Sequence, residues 1–261
     1  MILRDKVVVV TGVGPGLGSE VARVALRDGA RVVVAARGEE KLRKAAEALD
    51  PSGERVLACA ADVNDAARCE ALMRAAAERF GGVDAVVQVA ALDTLMGTLE
   101  STSADDWRRA LDVNVVGTMN VVRAAVPQLE ARGGGAIVLI GSQSMWLPPR
   151  LPQIAYAASK GALVSAMLHL AKELGPKRIR VNMVVPTWMW GPPVEAYVRW
   201  QAKSRNLPPD QVIGEITANM PLGEIPADED VAEAVAFFCS DRSRMITGES
   251  LMVNAGELFR P

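Results

Sequence analysis

Short apolar segments alternate along the chain with longer segments in which apolar and charged residues are mixed. The short segments are rich in valine and isoleucine and apolar at almost every position, which is typical of strands buried on both faces of a parallel sheet. They predict strands at Val7–Thr11, Arg31–Ala36, Arg55–Ala60, Ala85–Val89, Ala136–Ile140, Arg178–Val185 and Ser250–Val253.

The longer segments have the apolar spacing of amphipathic helices. They predict helices at Leu17–Asp28, Glu39–Leu49, Ala66–Phe80, Trp107–Glu130, Ala155–Leu174 and Asp228–Cys239. Regular alternation of strand and helix favours an α/β Rossmann fold, a single doubly wound parallel sheet with helices on both faces.

The segment from Pro186 to Pro226, rich in proline and tryptophan, interrupts this alternation. We therefore predict one domain over residues 1–261, with residues 187–226 as an insertion. Its helices would form a small mobile lid over the substrate.

Composition excludes several classes of function. The net charge is -2, the lysines and arginines are scattered, and no basic face for nucleic acid is indicated. The chain has three cysteines without close pairing and one histidine, His169, so neither a disulfide framework nor a metal site is expected. The apolar run near the N-terminus is too short to cross a membrane. A soluble cytoplasmic protein is the expectation.

A glycine-rich loop follows the first predicted strand. It reads Thr11-Gly12-Val13-Gly14-Pro15-Gly16-Leu17-Gly18 and leads directly into a helix. Glycines allow the backbone to approach a pyrophosphate closely, and the N-terminus of a helix favours its negative charge. A glycine-rich loop alone is a weak signal, but between a strand and a helix it predicts binding of a dinucleotide.

The tip of the second strand indicates which dinucleotide is bound. An acidic residue there would bind the adenosine ribose hydroxyls of NAD and repel a 2′-phosphate, but the sequence is Ala35-Ala36-Arg37. Arg37 can pair with a 2′-phosphate, which favours NADP(H) over NAD(H), although it can also be an ordinary exposed arginine. Asp62, after the third strand, can bind the adenine amino group or cap the next helix.

Tyr156 and Lys160 lie four residues apart in a predicted helix and therefore share one face. A neighbouring ammonium favours the phenolate, so we expect Lys160 to lower the pKa of Tyr156 and make it a general acid/base. Small residues around the pair leave room for a ligand. An exposed helical pair without function is the alternative.

In combination, these motifs resemble the short-chain dehydrogenase/reductase superfamily along nearly the whole chain. The residues that carry the resemblance are Thr11–Gly18, Asp62-Val63, Asp112-Val113-Asn114-Val115-Val116-Gly117, Gly141-Ser142, Tyr156–Lys160, Arg180-Val181-Asn182 and Val253-Asn254-Ala255-Gly256.

The resemblance implies a catalytic tetrad. Tyr156 would exchange a proton with the substrate oxygen, and Lys160 would lower its pKa and hold the nicotinamide ribose. Ser142 would bind and polarise the substrate oxygen, with Ser144 as a weaker candidate for that role. Asn114 would hold a water that connects Lys160 to solvent.

Two segments depart from the family pattern. Gln88-Val89-Ala90-Ala91 stands where Asn-Asn-Ala-Gly is usual, and Pro186-Thr187 stands where Pro-Gly is usual. We expect the first to change cofactor packing rather than chemistry, and the Thr187 backbone N–H to face the nicotinamide carboxamide. The predicted cofactor-binding residues are Gly12, Gly14, Gly16, Leu17, Gly18, Arg37, Asp62, Val63, Ala90, Tyr156, Lys160, Pro186 and Thr187.

Four of the five tryptophans follow the strands that would carry the substrate site: Trp146, Trp188, Trp190 and Trp200. They predict an apolar pocket for a bulky or aromatic substrate, with packing of the lid or of a subunit interface as the alternative. The resemblance further implies a homodimer or homotetramer.

The predicted activity is that of a carbonyl reductase or alcohol dehydrogenase, which transfers a hydride between NADP(H) and a ketone or secondary alcohol. One alternative is an epimerase or dehydratase on the same fold that uses bound nucleotide. The other is a non-catalytic protein that senses the nucleotide.

Overall fold

A computed structural model describes residues 1–149 and 151–259. It contains a sheet of seven parallel strands in the order β3-β2-β1-β4-β5-β6-β7. The strands are β1 (Val7–Thr11), β2 (Arg31–Ala36), β3 (Val56–Ala60), β4 (Ala85–Gln88), β5 (Gly135–Ile140), β6 (Ile179–Pro186) and β7 (Ser250–Val253). The predicted α/β Rossmann fold is confirmed.

Helices cover both faces of the sheet. They are α1 (Leu17–Arg27), α2 (Glu39–Leu49), α3 (Ala66–Phe80), α4 (Ala104–Leu111), α5 (Gly117–Ala131), α6 (Ile154–Leu174), α7 (Pro192–Arg205), α8 (Pro209–Thr217) and α9 (Asp228–Cys239). One core includes Val8 and Val10 of β1 together with α1 and α9, while Val7 and Val9 contribute to the other, with α3, α5 and α6. Alternate side chains of one strand therefore stabilise opposite layers.

The predicted helix Trp107–Glu130 is helical along its whole length, but it begins earlier and includes a π-helical turn. The first helix begins at Ala104, where Ser103 and Asp106 form a reciprocal capping box. A π-helical turn at Asp112–Val116 then separates α4 from α5. Such turns are rare in helices and occur frequently at functional sites.

Helices α7 and α8 form a small hydrophobic cluster of their own, built on Val198, Ala202 and Val212. Backbone hydrogen bonds close the base of this segment, since Trp190 N donates to Pro226 O at 2.7 Å and Asp228 N donates to Trp190 O at 3.3 Å. The segment predicted as an insertion thus has a packed interior distinct from the two main cores.

Candidate active site

A cavity of about 1020 Å³ opens at the carboxyl ends of the strands. The strand order reverses between β1 and β4, and parallel α/β sheets bind ligands beside such a reversal. The cavity wall includes the glycine-rich loop, the ends of β2 and β3, the catalytic candidates that follow β5 and lie on α6, and parts of α7 and α8. One continuous space therefore connects the predicted cofactor and substrate regions.

The glycine-rich loop packs too tightly at two positions to accept larger residues. At Gly12, where φ is +75°, a Cβ would lie 2.4 Å from Ala90 N, and at Gly18 it would lie 2.3 Å from Gly12 O. A Cβ at Gly14, by contrast, would meet nothing within 4 Å. The loop is pressed against the end of β4 on one side and leaves open space on the other, which fits a pyrophosphate.

The N-terminus of α1 adds to this fit. Gly16 is its N-cap and no side chain caps the helix, so its first backbone N–H groups are not satisfied by a capping side chain. Leu17 and Gly18 lie in the first turn and line the cavity. Backbone N–H groups and the helix dipole are what a phosphate requires.

Arg37 lies exposed in the cavity wall just after β2. It makes no ion pair among the described parts of the chain, in contrast to Arg43 farther along α2, which pairs with Glu47. Its guanidinium is therefore available to an added anion. Asp62 and Val63 also line the cavity, and Asp62 Oδ1 accepts a hydrogen bond from Asn64 N at 2.9 Å. The cap of α3 is Asp65 rather than Asp62.

Gln88 is the last residue of β4 and the first residue of the segment Gln88-Val89-Ala90-Ala91, which departs from the family pattern. It is 3 % exposed, accepts a hydrogen bond from the Thr11 hydroxyl and donates to Ala90 O at 3.3 Å. It therefore connects the ends of β1 and β4 directly below the loop. This arrangement agrees with an influence on packing rather than on chemistry.

Ser142 and Tyr156 come together at the inner end of the cavity. Ser142 follows β5 and begins a short turn, and Tyr156 lies half-buried in the first turns of α6. Burial raises the pKa of Tyr156 to about 12, although a hydrogen bond from the Ser142 hydroxyl acts in the opposite direction. Ser144 lies beside Ser142, with 2.8 Å between the two hydroxyl oxygens. Both serines line the cavity.

The pKa of Tyr156 is raised rather than lowered in this structure, so the expected net shift to a lower pKa is wrong here. Its Nζ lies 5.7 Å from the centre of the Tyr156 ring and donates a hydrogen bond to Ile140 O at 2.7 Å. The side chain is 3 % exposed, and burial lowers the Lys160 pKa to about 8. Desolvation is the largest cause of both shifts, because burial disfavours the charged form of each group.

Asn114 lies in the π-helical turn and is 1 % exposed. Its Oδ1 accepts from Leu92 N at 2.6 Å, and its Nδ2 donates to Leu92 O at 3.1 Å and to Ser159 Oγ at 2.9 Å. Asn114 thus holds the segment after β4 against the catalytic helix. The water relay predicted for it stays a prediction.

Thr187 lines the cavity where β6 ends, next to Pro186. Its hydroxyl donates to Glu257 Oε2, which also accepts from Gln143 Nε2 at 2.8 Å. Glu257 lies in the C-terminal segment and lines the same cavity. Sequence reasoning missed it, because no local motif marks a residue that the fold brings back to the site.

Of the four predicted substrate-binding tryptophans, only Trp188 lines the cavity as the described residues define it. Its ring lies 5.1 Å from that of Tyr197, which also faces the cavity. Trp146 packs against the core below α6, Trp190 packs within the α7–α8 cluster, and Trp200 is 61 % exposed. The prediction that these three tryptophans line the substrate pocket is therefore wrong. Trp146 and Trp190 serve packing, and Trp200 lies on the outer surface.

Two acidic residues at the cavity were also missed. Asp93, exposed after β4, raises the pKa values of both Tyr156 and Lys160 through its charge. Asp228, at the start of α9, lies close to the glycine-rich loop: its Oδ2 is 3.6 Å from where a Cβ at Gly16 would be. Neither position belongs to a recognisable pattern.

Among residues 1–149 and 151–259, no cluster of three or more potential metal ligands occurs. One helical stretch, Ile154–Lys177, is long and apolar enough to cross a membrane by length and composition alone. It contains α6, whose buried face packs on the sheet and carries Lys160.

Comparison with known proteins identifies the family. A family model described as enoyl-(acyl carrier protein) reductase matches residues 12–257. Dehydrogenase/reductase SDR family member 4 of Mus musculus is 34% identical over 255 residues, covering 97% of this chain and 88% of that protein. The chain belongs to the short-chain dehydrogenase/reductase superfamily.

Further sequences and solved structures are similar to this chain along nearly its whole length. An uncharacterized oxidoreductase of Methylorubrum extorquens is 32% identical over 97% of this chain and 98% of its own length. A putative short-chain dehydrogenase/reductase from Burkholderia xenovorans superposes with a TM-score of 0.87 at 28% identity, covering 98% of this chain and 97% of that one. A crystal structure of an actinorhodin polyketide ketoreductase variant with NADPH gives 0.86 at 30% identity, covering 97% of each chain. This superfamily member is therefore an oxidoreductase of the kind that uses nicotinamide cofactors.

Proposed function

We propose that this protein is an NADP(H)-dependent carbonyl reductase or alcohol dehydrogenase acting on a bulky, largely apolar ketone or secondary alcohol. The observation that carries the proposal is the convergence of Ser142, Tyr156 and Lys160 at the inner end of the cavity that begins at the glycine-rich loop. NADP(H), when bound, supplies or accepts the hydride.

The chain's own residues provide the binding site for the cofactor. The open side of the glycine-rich loop and the uncapped start of α1 suit the pyrophosphate. Arg37, exposed and without an ion pair in the described ranges, suits the 2′-phosphate. The ketoreductase related in structure contains NADPH, which agrees with this preference. NAD(H) is the less favoured cofactor because no acid follows β2.

The proton-transfer roles follow from the hydrogen bonds. Ser142 would bind the substrate oxygen and Tyr156 would donate a proton to it during reduction, or accept one during oxidation. A protonated Tyr156, with its pKa raised to about 12, is suited to the donor role at neutral pH. Lys160 would hold the nicotinamide ribose and pass protons toward Asn114, whose position in the π-helical turn is set by Leu92 and Ser159.

The substrate class follows from the outer part of the cavity. Trp188 and Tyr197 form one wall, and Leu147, Val194 and Ile216 add apolar surface. Arg205, which also lines the cavity, is engaged by Glu215 through two hydrogen bonds of 2.7 Å. An apolar substrate therefore suits the pocket better than an anionic one. We propose that α7 and α8, which have a hydrophobic cluster of their own, form the lid over the substrate.

We also propose a homodimer or homotetramer. Leu168 of α6 and Val116 of the π-helical turn are 53 % and 51 % exposed, and burial of such side chains in an interface would be favourable. Light scattering of the purified protein tests this directly. A monomer at micromolar concentration would contradict it.

The test of activity uses the purified protein with NADPH and, separately, NADH. A panel of aliphatic, cyclic and aromatic ketones is offered while the absorbance of the reduced nicotinamide is followed. We expect oxidation of NADPH with bulky apolar ketones and much slower oxidation of NADH. Tight NADPH binding without oxidation by any ketone would contradict the redox assignment and favour a nucleotide sensor or a non-redox enzyme.

A further inference from the structure

The C-terminal segment brings a carboxylate into the cavity. After β7, Asn254 and Glu257 form a turn in which Glu257 N donates to Asn254 O at 2.9 Å. Asn254 is 5 % exposed, and its Nδ2 also donates to Leu258 O at 2.9 Å. The turn is therefore held rigidly, and it places Glu257 in the cavity wall beside Thr187.

Hydrogen bonds determine the position of the carboxylate. Glu257 Oε2 accepts from the Thr187 hydroxyl and from Gln143 Nε2, the latter at 2.8 Å. Gln143 is itself 5 % exposed and accepts from Asn254 Nδ2 at 2.7 Å. A buried amide with partners at both ends holds its orientation well. Glu257 is thus part of a network joining the ends of β5, β6 and β7.

The network contacts both halves of the candidate active site. Gln143 directly follows Ser142, which would bind the substrate oxygen, and Thr187 follows β6, where the carboxamide of nicotinamide is expected. The hydroxyl of Thr187 is committed as a donor to Glu257. Among residues 1–149 and 151–259, no lysine or arginine forms a salt bridge with Glu257.

On the basis of the proposed cofactor, we infer that Glu257 positions the nicotinamide through Thr187 and that its charge favours the oxidised ring over the reduced ring. Oxidised nicotinamide carries a positive charge, and reduced nicotinamide does not. A carboxylate held beside the ring's expected place attracts only the oxidised form by Coulomb interaction. Bound NADPH would accordingly be a better hydride donor.

Dissociation constants of NADP⁺ and NADPH test the inference without any substrate. They are measured by calorimetry for the unaltered protein, Glu257→Gln, Thr187→Val and Glu78→Gln, with thermal unfolding of each to establish that it is folded. Glu257→Gln keeps an acceptor for Thr187 and Gln143 but removes the charge. Thr187→Val removes the hydroxyl but keeps the charge of Glu257. Glu78→Gln is the control, because it removes a carboxylate that lies exposed on α3.

We expect Glu257→Gln to weaken NADP⁺ binding by roughly fivefold to tenfold and NADPH binding by less than about twofold. Thr187→Val should weaken both forms to a similar extent, and Glu78→Gln should change neither. Equal weakening of both forms in Glu257→Gln, or the same selective loss in Thr187→Val, would overturn the inference. No binding of either form by the unaltered protein would instead refute the proposed function itself.

Discussion

The Nζ of Lys160 donates a hydrogen bond to the main-chain carbonyl oxygen of Ile140 at 2.7 Å. Ile140 is the last residue of β5, two residues before Ser142, so this bond joins the catalytic helix to the strand that carries the candidate substrate contact. One neutral acceptor does not compensate a buried ammonium for the loss of water. The Lys160 pKa is accordingly lowered from 10.5 to about 8.

Lys160→Met should stabilise the protein while removing its activity. The lowered pKa corresponds to roughly 3 kcal/mol of unfavourable free energy for the charged form at neutral pH, and methionine fills the same space without charge. Urea unfolding at pH 7 should show a gain of about 1–3 kcal/mol, less than the full value because the bond to Ile140 is lost.

The same shift predicts how stability depends on pH. Between its folded pKa of about 8 and its ordinary value of 10.5, Lys160 binds more protons in the unfolded chain than in the folded one. Stability attributable to this group therefore rises with pH in that window. The rise from about pH 8 to pH 10 should be smaller in Lys160→Met, and Lys177→Met, on an exposed lysine, serves as control. Equal slopes in all three proteins would contradict the prediction.

Tyr156→Phe should lower kcat by at least ~100-fold, because the variant has no proton to transfer to the substrate oxygen. Its NADPH dissociation constant should change little, since the ring and its packing are retained. Stopped-flow turnover and fluorescence titration of NADPH measure the two quantities. Tyr197→Phe in the cavity wall is the matched control and should keep most of the activity. Substantial turnover by Tyr156→Phe would refute the mechanism.

Arg37→Ala should weaken NADPH binding by roughly tenfold to hundredfold, the value of a lost charge-assisted contact with phosphate, and leave NADH binding nearly unchanged. Arg43→Ala is the control, because Arg43 lies nearby on α2 and pairs with Glu47. Calorimetric titration with both nucleotides gives the comparison. If the affinities for NADPH and NADH fall by the same factor, Arg37 acts on both nucleotides through the positive electrostatic potential of the site and does not recognise the 2′-phosphate.

The parts of the site that sequence reasoning found are local in the chain. The glycine-rich loop, Arg37 and the pair Tyr156 and Lys160 each depend on spacing within one strand–helix connection or one helix. Such spacing already determines which groups share a face. The alternation of apolar segments likewise determines the fold class, because buried parallel strands and their crossover helices have distinct patterns.

What sequence reasoning missed depends on contacts between distant segments. Glu257 reaches Thr187 and Gln143 only after β7 has paired with β6, and Asp228 reaches the glycine-rich loop because α9 packs on α1. Tryptophan spacing did not separate Trp188, which faces the cavity, from Trp190, which packs in the lid. Burial by neighbouring elements, rather than local charge, also determines the direction of the Tyr156 pKa shift.

Asp228 should make cofactor binding depend on pH. Its half-buried carboxylate lies near Gly16, and burial, followed by the charge of Glu20, raises its pKa. Two neighbouring acids, Glu20 and Glu229, both form ion pairs with Arg23. The positive charge of Arg23 is therefore engaged by these two residues rather than by Asp228. Ionised Asp228 repels a pyrophosphate on the loop, whereas the protonated form does not. Affinity for NADPH should therefore rise as pH falls through the raised pKa.

Asp228→Asn separates this effect from other titrations. The amide keeps the shape of the side chain and lacks the charge, so at pH 7.5 it should bind NADPH roughly threefold to tenfold more tightly. Its affinity should also vary less than that of the unaltered protein as the pH falls toward the raised pKa of Asp228. Glu70→Gln, exposed on α3, is the control. Weaker binding by Asp228→Asn would mean that the carboxylate accepts a hydrogen bond from the cofactor, and repulsion would then not be its role.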